Sequence, residues 1–179
     1  MVVERNHVNI KKARLMSAPF AGRFFFWGYA MIFRRLSVAF YTEFAGCAEI
    51  LTKEDRPYYV MLLELDGLTY AIPLRSYINH KFCFIADDSG GQNSGLDYSK
   101  AVIITDVAKY IDPALVTIRE NEYGFFKKNE LFIKKGFSSY VAFYKKEFRR
   151  RQKNPSLPES PLCRYATLKY FHKELGLYE

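Results

Sequence analysis

Apolar and polar positions are patterned most clearly between Arg56 and Lys81. Two apolar runs, YYVMLLEL and LTYAIPL, flank Asp66-Gly67. That pair favours a two-residue hairpin turn, because both residues tolerate positive φ. Such a turn pairs Leu65 with Leu68, Leu63 with Tyr70, Met61 with Ile72 and Tyr58 with Arg75. Arg56 then falls near Ser76 and Tyr77. Pro73 has no N–H to give a ladder, which predicts an edge strand or a bulge. Elsewhere, Leu36, Phe40 and Phe44 recur at i, i+4, i+8 and predict a helix over 34–44, stopped by Gly46. Short β-branched or apolar runs predict strands over 81–85, 101–104 and 131–137. Ser138 or Ser139 can cap a helix over 140–152 with the stripe Val141, Tyr144 and Phe148. A Pro-punctuated linker over 154–161 precedes a last helix over 162–175, ended by Gly176. These elements sum to an α+β fold: a short twisted antiparallel sheet with packed helices, one of them C-terminal.

The segment Asp87–Ser99 (DDSGGQNSGLDYS) breaks this pattern. It lacks P-loop and dinucleotide-loop spacing, and reads as a mobile surface loop or a lid over a substrate. Residues 1–30 differ again: basic, poorly periodic, and closing on Phe-Phe-Phe-Trp. The chain divides accordingly into a basic extension, 1–30, and one domain, 31–179. The extension is read as a leader or mis-called start, or as a basic arm.

At 179 residues and 49% hydrophobic content, the chain is long enough for one real core. The formal net charge of +8 makes acidic partners, nucleic acid first, the natural expectation. The charge is concentrated: residues 127–153 hold ten Lys/Arg against Glu130 and Glu147. That run is either a solvated face or a phosphate-backbone surface, with Lys127, Lys128, Lys134, Lys135, Lys145, Lys146 and Arg149 as candidate RNA contacts. Cys47, Cys83 and Cys163 are too widely spaced for a zinc site and fit reduced core thiols of a cytoplasmic protein. Phe24 to Phe33 is apolar but about half the ~20 residues of a membrane-spanning helix, so no membrane role is expected.

The candidate chemistry gathers just past the second hairpin strand: Arg75, Ser76, Asn79, His80 and Lys81. Arg75 can fork onto a phosphate, Ser76 can bond a phosphate oxygen, and His80 can carry protons near neutral pH. The register adds Arg56 and Tyr58. No acidic pair or DxD stands near these positions, which disfavours a metal-dependent nuclease. A metal-free ribonuclease needs only a base for the 2′-hydroxyl, an acid for the 5′-oxygen and cations around phosphorus. No cofactor is implied. His7 and His172 have no such company.

The ordered set Glu64, Gly67, Tyr70, Pro73, Leu74 and Ser76 resembles the strand-turn-strand of the ToxN/AbiQ superfamily. These are endoribonuclease toxins of type III toxin–antitoxin systems. RSYINHKFCFI and the closing CRYATLKYFHKEL are most similar to its TenpN or CptN branches. The resemblance spans roughly Met31 to Leu177. It implies a twisted, barrel-like core and metal-independent RNA cleavage to a 2′,3′-cyclic phosphate and a 5′-hydroxyl. It also implies a small repeated pseudoknot RNA antitoxin, processed by the toxin and bound in a closed toxin–RNA ring, with mRNA as the target and phage defence as the outcome. The family's site serine falls on Ser76, its preceding threonine on Arg75 and a basic residue on Arg56. The family's lysine two positions after the serine is Ile78 here. The resulting expectation makes His80 the general base or acid, Arg75 and Lys81 the phosphate clamps, and Ser76 a phosphate ligand. A non-catalytic RNA-binding module is the runner-up, and a chaperone-like or structural partner protein a third reading.

Overall fold

Asp66 and Gly67 take φ of 53° and 76°, the two positive values that a type I′ turn demands. The computed structural model, which describes residues 31–50, 58–87, 92–118 and 120–178, builds outward from this hairpin. Strand β2 (Tyr59–Leu65) and strand β3 (Leu68–Arg75) pair as the sequence predicts: Leu65 with Leu68, Leu63 with Tyr70, Met61 with Ile72. The ladder ends at Val60 with Pro73, so Tyr58 does not pair with Arg75. Arg56 and the 1–30 extension lie outside the described residues.

Strand β1 (Ile32–Arg35) lies antiparallel on the free edge of β2. Strands β4 (Cys83–Asp87), β5 (Ser94–Asp97) and β6 (Val102–Ile104) complete a six-stranded antiparallel sheet in the order β1-β2-β3-β5-β4, with β6 also on β3. The fold is α+β, and the sheet is open rather than closed into a barrel. Helices α1 (Val38–Glu43), α2 (Val107–Tyr110), α3 (Glu120–Lys128), α4 (Glu130–Lys153) and α5 (Pro161–Tyr165) surround it.

β3 is central, not an edge. β6 pairs with Thr69–Ala71 and β5 with Leu74–Arg75, on the strand side opposite β2. Pro73 is tolerated because it falls between those two partners, where a 3₁₀ turn (Tyr98–Lys100) carries the chain from β5 to β6. β5 itself occupies part of the segment expected to be a loop. Its glycine explains how: a Cβ on Gly95 would lie 2.0 Å from the Phe84 carbonyl oxygen, so only glycine lets β4 approach.

Three helices depart from their expected bounds. Arg34 and Arg35 belong to β1, because the edge of β2 captures them before Ser37 caps α1 through the Phe40 amide at 3.2 Å. The expected strand over 131–137 is instead the first part of α4. Ile133, Phe137, Tyr140, Val141 and Tyr144 are all buried, one stripe at helical spacing that reaches the half-buried Phe148. The last expected helix is broken. Ser160 caps α5 and Ala166 is extended, after which a 3₁₀ turn (Thr167–Tyr170) follows. Thr167 is fully buried and its hydroxyl donates to the carbonyls of Ser99 and Ala101, a tertiary bond that a continuing helix could not make.

The core lies between the sheet and α4. Tyr70 and Tyr98 meet Phe137 edge to face at 5.0 and 5.5 Å between ring centroids. Gly136 lets Tyr98 approach the helix, and the Tyr98 hydroxyl donates to the Ile133 carbonyl at 3.3 Å. Among the described residues, no helix is long and apolar enough to cross a membrane.

Candidate active site

β3 ends at Arg75, and the path of the chain beyond it is shaped by the neighbouring β5. Arg75 pairs across with Gly95, which makes Asp97 its diagonal neighbour on the same face. The Arg75 guanidinium bonds the Asp97 carboxylate through Nη1 and Oδ2. Asp97 is fully buried. A buried carboxylate needs partners for both oxygens, and it has them. Oδ1 accepts from the Ser99 hydroxyl at 2.6 Å and the Ser99 amide at 3.0 Å, and faces His80 Nε2 at 3.3 Å.

The Ser99 hydroxyl proton is committed to Asp97, so the contact of Nε2 with Asp97 is made by an Nε2–H. Nδ1 is buried without a hydrogen-bond partner among the described residues. Cys83 donates to the His80 carbonyl at 3.0 Å and fixes the backbone beneath the ring.

Ser76 is exposed and stands apart from this group, its Oγ accepting from Ser94 at 3.2 Å. The expected quartet is thus divided. Arg75 and His80 share Asp97, Ser76 sits with Ser94 just beyond the end of β3, and Lys81 is exposed with its ammonium 5.4 Å from the Phe82 ring. Phe82 stacks on Phe143 of α4 at 6.0 Å. By helical spacing Lys135 and Lys146 lie along the Phe143 flank of α4.

The other candidate contacts are scattered. Tyr58 lines a small pocket with Pro73 and Lys100, and Asn79 is exposed. Lys127 and Lys128 close α3, and Lys134 is paired with Glu130 at 2.8 Å. Lys145 is half-buried and Arg149 exposed. Among the described residues no hydrogen bond or ion pair joins any of these to the Asp97 group.

The sequence reading passed over Asp97, Ser99, Ser94 and Lys100, because all four fall in or directly after the stretch taken as a loop. The signal available was LDYSK: an apolar residue, an acid, an aromatic and a hydroxyl just before the Ala101–Ile104 run. Lys100 lies within electrostatic reach of Asp97 and Arg75 and donates to the Tyr165 carbonyl at 3.0 Å. Burial pulls its ammonium below the ordinary lysine range, with Asp97 opposing and Arg75 adding to the shift. Among the described residues, no three His, Cys, Asp or Glu side chains group as metal ligands.

A larger cavity, about 290 Å³, is lined by Tyr144, Phe148, Cys163 and His172 and shares no lining residue with this site. No family model matches the chain, and neither a curated protein nor a solved structure matches it.

Proposed function

We propose that this chain is a metal-independent endoribonuclease, a toxin of the type III toxin–antitoxin kind, acting in the cytoplasm on mRNA and held inactive by a small repeated pseudoknot RNA. The observation that carries the reading is the buried Asp97 carboxylate, which holds Arg75 and His80 together at the end of β3. A carboxylate that orients an imidazole and leaves its second nitrogen basic is the arrangement a proton acceptor needs. Arg75 remains part-exposed, so its other N–H groups can meet a phosphate oxygen.

In the proposed reaction the 2′-oxygen attacks phosphorus and its proton passes to His80 Nδ1. The bond from phosphorus to the 5′-oxygen breaks, and that oxygen takes a proton from the Lys81 ammonium. The products are a 2′,3′-cyclic phosphate and a 5′-hydroxyl. Arg75 and Ser76 bond the non-bridging oxygens, where negative charge gathers in the transition state. Nδ1 is covered in this structure, so the ring must be uncovered for Nδ1 to reach substrate.

One observation favours a second reading. With Nε2 committed to Asp97 and Nδ1 closed off, the same cluster serves a non-catalytic RNA-binding module equally well. Incubation with single-stranded RNA in EDTA separates the two. Cleavage by the wild type, reduced about a hundredfold or more in His80→Ala and in Ser76→Ala, supports the nuclease. Bound but intact RNA supports the binder and sinks the nuclease.

A further inference from the structure

Tyr77 follows Ser76 directly, and its backbone adopts φ of 60°. That region is unfavourable for a bulky side chain; Gly, Asn or Asp occupy it at lower cost. The fold nonetheless holds it there. The Tyr77 amide donates to the Gln92 carbonyl, and the buried Ile78 donates to the Asn93 carbonyl at 3.2 Å. Asn93 returns a side-chain bond to the Ile78 carbonyl at 3.3 Å and itself has φ of 41°. Two left-handed residues thus lock the end of β3 against the start of β5.

The consequence is an outward-turned ring. Tyr77 is 69% exposed, and among the described residues its ring stacks on nothing and its hydroxyl bonds nothing. Among the described residues, this exposed ring on a strained backbone gains no partner. Strain of this kind collects at functional sites. The neighbours indicate the ligand: Ser76 on one side, and Arg75, His80 and Lys81 close in sequence. A flat π-face next to phosphate-binding groups suits an unpaired base attached to the held phosphate.

We propose that Tyr77 is the base-stacking residue of this site, gripping one unpaired nucleobase beside the phosphate that Arg75 and Ser76 engage. The proposal rests on the reading of the site as an RNA site, but not on cleavage. It assigns the site an unstacked, single-stranded segment, since a base inside a duplex offers no free face.

The test uses single-stranded 2′-O-methyl RNA of mixed sequence, which cannot be cut through a 2′-hydroxyl. An abasic ribose-phosphate strand of the same length serves as control. Affinity is measured by fluorescence anisotropy for the full chain, for Tyr77→Phe and for Tyr77→Gly. The glycine variant removes the ring while easing the backbone, so its melting temperature is expected to hold or rise. Tyr77→Phe should bind the base-bearing strand like wild type, and Tyr77→Gly about tenfold more weakly. All three should bind the abasic strand alike. Equal binding of the base-bearing strand by Tyr77→Gly and wild type overturns the proposal. So does an equal loss on both strands, which marks a backbone effect, or no binding by wild type. If natural RNA stays intact while the Tyr77 dependence holds, the nuclease reading fails and base stacking stands.

Discussion

Asp97 is the residue on which the candidate site depends. It is fully buried, and Arg75, His80 and Ser99 all converge on it. Removing it leaves an arginine and an imidazole without their shared acceptor, and frees the Ser99 hydroxyl. Arg75 and His80 keep part of their hydration, with side-chain exposures of 27% and 32%, which softens the loss. Asp97→Ala is expected to lower stability by about 2 to 3 kcal/mol, read by urea denaturation. Asp97→Asn keeps the shape but places an amide where a carboxylate met Arg75. It should retain most of the stability while losing Arg75 positioning, seen as weaker RNA binding. If Asp97→Asn binds RNA like wild type, the carboxylate does not organise the site.

The elements record where glycine is required and where it is incidental. Gly95 sits in β5 with a Cβ position 2.0 Å from a backbone carbonyl oxygen, which cannot swing aside as a side chain tip can. Gly95→Ala should push β4 from β5, cost about 3 kcal/mol or more and displace Asp97 with the strand. Gly124 lies within α3 and has open space around its Cβ position. Gly124→Ala should raise stability by about 0.5 to 1 kcal/mol, through helix propensity alone. Thermal melts of the two variants should move in opposite directions. A Gly95→Ala chain that melts like wild type would show that β5 does not pack tightly on β4. The charge of α4 obeys the same local logic. Its last turn carries Arg150, Arg151 and Lys153, where cations meet the negative end of the helix dipole. That accounts for part of the basic run without any ligand.

At the scale of the whole molecule, the C-terminal segment ties the sheet to α4. Thr167 holds the turn after β5, and His172 links Tyr144 of α4 at 2.7 Å to Tyr178 at 3.0 Å. His172 is 7% exposed, and burial lowers its pKa below the ordinary value of 6.5. The folded state therefore favours neutral imidazole, while the unfolded chain takes up a proton near pH 6.5. The unfolded state binds more protons between the two values, so this group's contribution to stability falls as pH drops through that window. Melting temperature should decline from pH 7.5 to pH 5.5, and His172→Gln should flatten the decline. A variant that keeps the wild-type slope would assign the decline to other groups.

The hairpin register was legible residue by residue, because Asp66-Gly67 fixes the turn and period-two burial fixes the faces. The helical stripe of α4 from Val141 onward was legible for the same kind of reason, a local period set by burial. The position of Arg75, Ser76, His80 and Lys81 at the end of a strand came from that register. Asp97 did not. A polar, glycine-rich stretch carries no period, and β5 exists because β3 and β4 offer edges and Gly95 alone can fit between them. The breaks at Arg35, Pro73 and Ala166 have the same origin, since each is decided by a partner strand or a tertiary hydrogen bond. The sequence by itself thus determined the α+β composition and the segment that carries the candidate site. Tertiary structure decided which acid organises that segment, because a buried carboxylate is specified by the residues that surround it and not by its neighbours in the chain.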